Sequence, residues 1–496
     1  MDSSVPPISA IQPDEGLLRP AGSNAGLGEL LAARYAERIQ QGLLTPGARL
    51  PSVREAARRH AISPGTVVSA YDLLQARGLV EARRQRGYFV RERRLAGAEV
   101  GTELPHAKSG PGTESAASRQ VRPRPVDATA LIRGMFAGTS RLAGPGSGTL
   151  PEAWLDAELL QRALRKAASQ YEGGLRYGEP AGDPGLRAAM VQRLADIGIN
   201  AQADQIATTL GATHALDIVA RCLLSPGDAV LVDEPGWAVE FARLSRMGMR
   251  LLPVPRGPQG PDLAAMAHLA RSHRPKLYVT VSVLHNPTGC SLPLAAAHQV
   301  LKLAEAENFT IVEDDTYAWF AANHAPRLAA LDGLSRTIYI SGFSKMLAPN
   351  WRVGCMAAAP ELIERLVDTK MISTLTTPAL MEQAVAWCLT QGQLRRHAER
   401  ITEQLDAARQ RSCRLAEAAG CRFITPPQGL FGWVETGVDT DVLAQELADA
   451  GWLMAPGSLF HAERRARTSM RINFASTQDA RFWQDFAVQR DRLLGR

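Results

Sequence analysis

The sequence predicts an α/β chain in two modules: a small winged helix-turn-helix, then a large domain built on a mainly parallel sheet. Three observations predict it. At 496 residues the chain is too long for a single hydrophobic core. Short apolar runs such as AVLVDEP, KLYVTVSV, FTIVEDD and RTIYISGFSK each follow a helical pattern, as expected of strands buried on both faces. Ahead of them, residues 27–92 read as three short helices and a hairpin.

The first helical segment, LGELLAARYAERIQQG, spaces Leu27, Leu30, Leu31, Tyr35 and Ile39 on one face, and Gly42 stops it. In LPSVREAARRHA, Val53, Ala56 and Ala57 face inward while Arg54, Arg58 and Arg59 face solvent. SPGTVVSAYDLLQARG opens with Ser63 as N-cap and Pro64 at the first helical position, where a missing N–H costs nothing. LVEARRQRGYFV is two short runs around a basic turn. Residues 27–94 hold thirteen arginines against six carboxylates, a net +7, whereas the whole chain carries only +6. A positive excess confined to one block points to a polyanionic partner for that block alone.

Composition excludes several classes. With 45% hydrophobic and 21% charged residues the chain reads as an ordinary globular protein. Its apolar runs are too short for a membrane helix. The first 26 residues lack the basic start and apolar stretch of a secretory signal, so a cytoplasmic location is expected. Six scattered cysteines contain no C-x-x-C pair, which argues for reduced thiols and against a metal site. Residues 1–26 are read as a tail. Residues 93–127, rich in Gly, Ser and Pro, are read as a flexible linker of roughly 30 Å mean span.

The motifs PGARLPSVREAA, SPGTVVSAYDLL and GLVEARRQRGYFV closely resemble the N-terminal domain of the GntR transcription regulators. The resemblance implies binding to double-stranded operator DNA. Arg54 would contact DNA, the third helix would enter the major groove, and Gly87 of the wing would lie near the minor groove. Arg58, Arg59, Arg83, Arg84 and Arg86 can neutralise phosphates, and Ser63 and Thr66 offer hydroxyls at a helix N-terminus. One departure stands out: Pro64, Gly65 and Val68 occupy positions where relatives carry basic side chains. Readout is therefore expected from Arg54, Tyr71 and the wing.

In the large module, residues 128–496 with a smaller C-terminal subdomain from about 385, the polar residues of interest follow apolar runs directly. Ligands of such sheets sit at the carboxyl ends of strands. Lys345 follows IYIS; a desolvated lysine has a lowered pKa and attacks carbonyl compounds. Asp314 can face a ring nitrogen and keep it protonated. Asn286 lies in HNPTG, and Gly211, Ala212 and Thr213 open a helix whose N–H groups suit a phosphate. An amine for an aldehyde, an acid for a pyridine nitrogen and an anion cradle together fit pyridoxal 5′-phosphate.

Taken singly these motifs are weak; their shared order is what carries weight. LRYGEPAGDPGLR, GATHALD, DEPGW, HNPTG, EDDTY, SGFSK-x6-RVG and MRINFAS resemble the fold-type-I aminotransferases, and the whole chain is similar to the MocR subfamily of GntR regulators. The resemblance implies a fold-type-I domain with a large parallel-sheet part and a smaller α+β part. Lys345 would bond covalently to the cofactor aldehyde and Asp314 would pair with the ring nitrogen. Asn286 and Tyr317 would hydrogen-bond the phenolic oxygen, and Trp237 would stack on the ring. Gly211, Ala212, Thr213 and Arg352 would hold the phosphate, with Tyr177 reaching over from a second subunit of a head-to-tail homodimer. Arg471, beside Asn286, would grip an amino-acid carboxylate. Here too one position departs: Gly342 stands where relatives carry a hydroxyl, leaving Ser341 or Ser344 to substitute.

The expected function is a transcription regulator in which an amino compound, or the cofactor itself, changes operator binding. The rivals are an aminotransferase that keeps an attached DNA module, and a sensor of the cofactor alone.

Overall fold

The structure, a computed structural model, describes residues 26–40, 44, 47–83, 87–91, 144–170, 176–463 and 465–495. They belong to two units, Met1–Gly138 and Thr139–Arg496. The tail, the linker, and Arg84 and Arg86 of the basic turn lie outside the described residues.

In the first unit, α1 (Leu27–Gln40), α2 (Val53–Arg59) and α3 (Pro64–Ala76) precede a hairpin of β1 (Val80–Arg83) and β2 (Gly87–Val90). Local chemistry sets the helix starts. Ser52 Oγ accepts from Glu55 N–H at 3.3 Å and Ser63 Oγ from Thr66 N–H at 3.1 Å, each satisfying an otherwise orphaned donor. The hairpin pairs Val80 with Val90 and Arg83 with Gly87. Leu31, Tyr35, Ala56, Val67, Ala70 and Leu74 form the core between the helices. Tyr71 corrects an expectation. It is fully buried, edge-on to Tyr35 and Tyr88, and its hydroxyl donates to Pro51 C=O at 2.9 Å. Its ring is core, and it has no face to offer DNA.

In the second unit, helices α4 (Ala157–Gln170) and α5 (Pro184–Ala195) lead to β3 (Ile206–Thr209) and α6 (Ala212–Leu223). There follow β4 (Ala229–Glu234), α7 (Ala238–Arg246), β5 (Arg250–Gly257), β6 (Gly260–Pro261), α8 (Leu263–His273) and β7 (Leu277–Thr280). Next come α9 (Leu294–Ala306), β8 (Thr310–Asp314), α10 (Leu328–Asp332), β9 (Thr337–Gly342) and β10 (Gly354–Ala357). The sheet order is β3-β10-β9-β8-β7-β4-β5-β6. From β5 to β9 the neighbours are parallel, as the continuous apolar runs predict. Strand β10 is the exception, antiparallel to both β9 and β3. The stretch between β9 and β10 carries Lys345 and is too short for a helical crossover, so the chain returns antiparallel.

Helices α11 (Pro360–Thr374), α12 (Ala379–Thr390) and α13 (Gln393–Ala418) then lead to β11 (Arg422–Phe423), β12 (Phe431–Glu435), α14 (Thr440–Asp449), β13 (Ala455–Pro456), β14 (Ser469–Asn473) and α15 (Ala480–Leu493). The four strands form an antiparallel sheet in the order β11-β12-β14-β13, the smaller α+β part. Its central strand β14 places Arg471 opposite Trp433 and Ala455. The carboxyl ends of β7, β8 and β9 and the centre of β14 thus converge on one region. Among the described residues, no helix is long and apolar enough to cross a membrane.

Candidate cofactor site and DNA face

The site assembles where those strand ends meet. Asp314, the last residue of β8, is buried. Its Oδ1 accepts from the backbone N–H of Thr316 at 3.0 Å and from the Thr316 hydroxyl. Burial pushes its carboxyl up to about 6, with Glu240 and Asp315 adding repulsion against the Thr316 bonds. Lys345 is half-buried. Burial lowers its amine to about 8, Arg471 and Arg352 pushing the same way while Asp314 opposes them. At neutral pH a useful fraction of it is therefore uncharged and nucleophilic.

Asn286 and Tyr317 are in contact, Asn286 Nδ2 donating to the Tyr317 hydroxyl at 3.4 Å. Asn286 Oδ1 accepts from Arg471 Nη1 at 2.7 Å. The other Arg471 terminus, Nη2, donates to Gly146 C=O at 2.7 Å, and its Nε is buried without a protein partner. Its guanidinium lies over Phe431 at 4.4 Å and near Phe460 at 5.0 Å. Burial lowers its pKa to about 10, which leaves it charged at neutral pH. A planar cation held between aromatic rings suits a planar carboxylate.

The segment expected to hold an anion is equally local. Gly211, with φ 79° and ψ 171°, precedes α6, a backbone region open essentially to glycine alone. A Cβ there would come within 2.7 Å of Arg352 Nη2. Arg352 Nη2 donates to Leu210 C=O at 2.9 Å, and its Nη1 donates to Ser344 Oγ at 3.1 Å. Gly342 brings β9 close to the backbone N of Ala212, 3.4 Å from where a Cβ would stand. Of the two candidate serines, Ser344 is therefore at the cradle, while Ser341 is buried and donates to Asp315 C=O at 3.3 Å. Thr213 lies exposed in the first turn of α6.

Beside Asp314 is a narrow cleft lined by Trp237, Asn286, Glu240, Asp233 and His285 among others. An indole wall, a carboxylate at one end, an amine nearby and a glycine-opened cradle fit pyridoxal 5′-phosphate. Tyr177 is not part of this group; it stands 81% exposed.

Three contributors escaped sequence reasoning. Glu240, buried on α7 three residues after Trp237, faces the same cleft and is held by Arg243, whose Nε donates at 3.2 Å. Helical spacing from Trp237 was its only sequence signal. Thr316, next but one to Asp314, supplies both of its donors. The GPGSG stretch at 144–148 packs on the site, where a Cβ on Gly148 would lie 3.7 Å from Lys345 Nζ and 3.8 Å from Arg471 Nη2.

With the geometry in place, two family descriptions match. Residues 141–482 match aminotransferase class I and II, and residues 28–90 match the bacterial regulatory proteins of the gntR family. The chain belongs to the aminotransferase class I and II family, with a GntR helix-turn-helix at its N-terminal side. This is the MocR-type architecture, and its cofactor is pyridoxal 5′-phosphate. The uncharacterized HTH-type transcriptional regulator YjiR of Escherichia coli is 30% identical over 90% of this chain and 94% of its own length. The 2-aminoadipate transaminase of Thermus thermophilus is 28% identical over 68% of this chain and 85% of its own. Among solved structures, the T. thermophilus α-aminoadipate aminotransferase LysN, complexed with N-(5′-phosphopyridoxyl)-L-leucine, superposes with a TM-score of 0.67 at 25% identity, covering 74% of this chain and 95% of LysN. Pyrococcus horikoshii kynurenine aminotransferase gives 0.66 at 26% identity, covering 71% and 92%.

On the DNA side, Arg54 and Arg58 are exposed on α2 and Ser63 is exposed at the start of α3. Thr66 is half-buried, and its hydroxyl lies 2.8 Å from that of Ser63. Gly87 has φ 97°, and a Cβ there would meet the Arg49 guanidinium at 3.3 Å. Exposed Arg49, adjacent to the wing, is a cation that motif reading passed over. Arg83 stacks over Phe89 at 4.6 Å and pairs with Glu81 at 2.7 Å, so part of its charge is already engaged.

Proposed function

We propose that this chain is a pyridoxal-phosphate-dependent transcription regulator whose affinity for operator DNA responds to an amino compound bound beside Lys345. The observation that carries the reading is the amine of Lys345, lowered by burial to about 8, in a chain that also carries a GntR module. When bound, the cofactor supplies an aldehyde carbon that condenses with amines and a pyridine ring that accepts electron density. Lys345 holds that aldehyde, Asp314 keeps the ring nitrogen protonated, and Trp237 covers the ring face. Asn286 and Tyr317 hold the phenolic oxygen. Gly211 opens room for Ala212, Thr213 and Arg352 at the phosphate, and Arg471 orients an effector carboxylate. Arg54, Arg58, Ser63, Thr66 and Gly87 face the DNA, and the sequence adds the charges of Arg84 and Arg86 for its phosphates.

We further assign a homodimer. Tyr177 at 81%, Ile372 at 90% and Leu375 at 56% exposure are large apolar groups. The loop of Tyr177 packs beside the turn at Thr376 and Thr377. Together they leave an apolar face that a second copy would cover, carrying Tyr177 to its partner's phosphate.

A second reading, an active aminotransferase, is favoured by the presence of Lys345, Asp314, Tyr317, Asn286 and Arg471 together. Anisotropy with DNA from upstream of the coding region separates the two. An amine that shifts operator affinity supports the regulator; rapid turnover of an amino donor and a keto acid, with no specific DNA retention, supports the enzyme. Borohydride reduction of the reconstituted protein should trap the cofactor at position 345, and a failure to do so would sink both.

A further inference from the structure

The outward face of α3 is unlike a phosphate-binding surface. Pro64, Gly65, Val68, Ser69, Asp72 and Gln75 are exposed and share one arc of the helix, opposite buried Val67, Ala70, Tyr71 and Leu74. None of the six is a cation. Val68, 38% exposed, presents two methyl groups within that arc, in the N-terminal half of the helix. The polar groups around it are engaged or unsuited. Ser69 Oγ donates to Gly65 C=O at 3.1 Å. Asp72 carries the charge of the DNA backbone and is repelled by it. Gln75 sits about two turns beyond Val68, whereas recognition helices touch bases with their N-terminal residues. Gly65 leaves open space, with only Ser63 Oγ at 3.7 Å from a Cβ built there, so the helix backbone can approach base edges closely.

We infer that Val68 reads the 5-methyl group of a thymine in the major groove, so that α3 specifies thymine by apolar contact while the arginines of α2 and the wing hold the backbone. Guanine and adenine are read by Arg, Lys, Asn or Gln; thymine alone offers a methyl group in the major groove of unmodified DNA. An apolar side chain on a cation-free face, next to a glycine that permits close approach, matches that one feature. The inference rests on the reading of residues 28–90 as an operator-binding module.

The test uses the full-length protein to select duplexes from a random-sequence library, with each thymine of the selected duplex then replaced by deoxyuridine. The replacement keeps base pairing and removes only the methyl group. At one or more thymines the wild-type protein should bind the uridine duplex about fourfold more weakly, the value of burying one methyl-sized group. Val68→Ala should weaken the thymine duplex by a similar factor and bind thymine and uridine duplexes alike. The inference is overturned if no thymine position responds to uridine, or if Val68→Ala retains the full discrimination. Because uridine substitution leaves the protein untouched, it stands as a test even if the variant folds poorly. Failure to select any duplex would overturn the DNA-binding reading as well, whereas a selected site insensitive to uridine overturns this inference alone.

Discussion

Lys345 and Asp314 titrate towards each other, the amine lowered to about 8 and the carboxyl raised to about 6, chiefly by burial. For the lysine the consequence is kinetic. The rate at which the protein takes up pyridoxal phosphate should rise with pH, pass half its maximum near pH 8 and level off about a unit above, whereas an exposed lysine would give a rate still rising at pH 10. Stopped-flow absorbance across pH 6 to 10 checks this, and a profile still climbing at pH 10 would place the amine in water. Glu240 matters for the neighbouring group. It adds negative charge to the cleft that Asp314 lines, so Glu240→Gln should weaken the ring nitrogen's hold on its proton by up to about tenfold. The ¹⁵N shift of labelled cofactor reports that directly; an unchanged shift would mean that Arg243 already cancels the charge. Lys345 and Asp314 are legible because each follows an apolar run. Glu240 is not, because its relation to Asp314 is made by tertiary packing across distant stretches of chain. Tyr71 misled for a related reason: an amphipathic ring on a helix of mixed pattern reads equally well as surface or core.

Strand ends and helix starts do the positioning. Strands β4, β7, β8 and β9 were readable as unbroken apolar runs between helices. Strand β5 was not, since Pro253 and Pro255 remove two donors and disguise it as a loop. Strand β10 was not read from the sequence either, and its antiparallel direction follows from the short return after Lys345 rather than from any residue pattern. The turn from β3 into α6 depends on one residue. Gly211→Ala would place a non-glycine side chain at φ 79° and drive a Cβ to 2.7 Å from Arg352 Nη2. The backbone strain alone costs about 1–3 kcal/mol, and the displaced guanidinium is the one proposed to hold the phosphate. Cofactor affinity should fall about tenfold or more, measured by equilibrium fluorescence, with melting lowered by only a few degrees. A variant that binds the cofactor normally would show that the phosphate sits elsewhere.

At the scale of the whole chain, the regulator reading makes a demand that the enzyme reading does not. If an amine in the Lys345 site changes operator affinity by some factor, operator DNA must change the affinity for that amine by the same factor, since both measure one coupling free energy. Typical couplings of about 1–3 kcal/mol correspond to about 5- to 150-fold, well within reach of titration. The amine dissociation constant is measured from cofactor absorbance with and without a saturating operator duplex, and the operator constant from anisotropy with and without saturating amine. A non-unit ratio, the same in both titrations, establishes that the two sites are energetically coupled. Ratios of one in both directions would leave the two modules energetically independent, and a catalyst with an uncoupled DNA tether would then be the better description. Lys345→Ala sharpens the comparison, because it should return both ratios to one while leaving basal DNA binding intact. Loss of DNA binding as well would show that the lysine supports the fold and not the coupling.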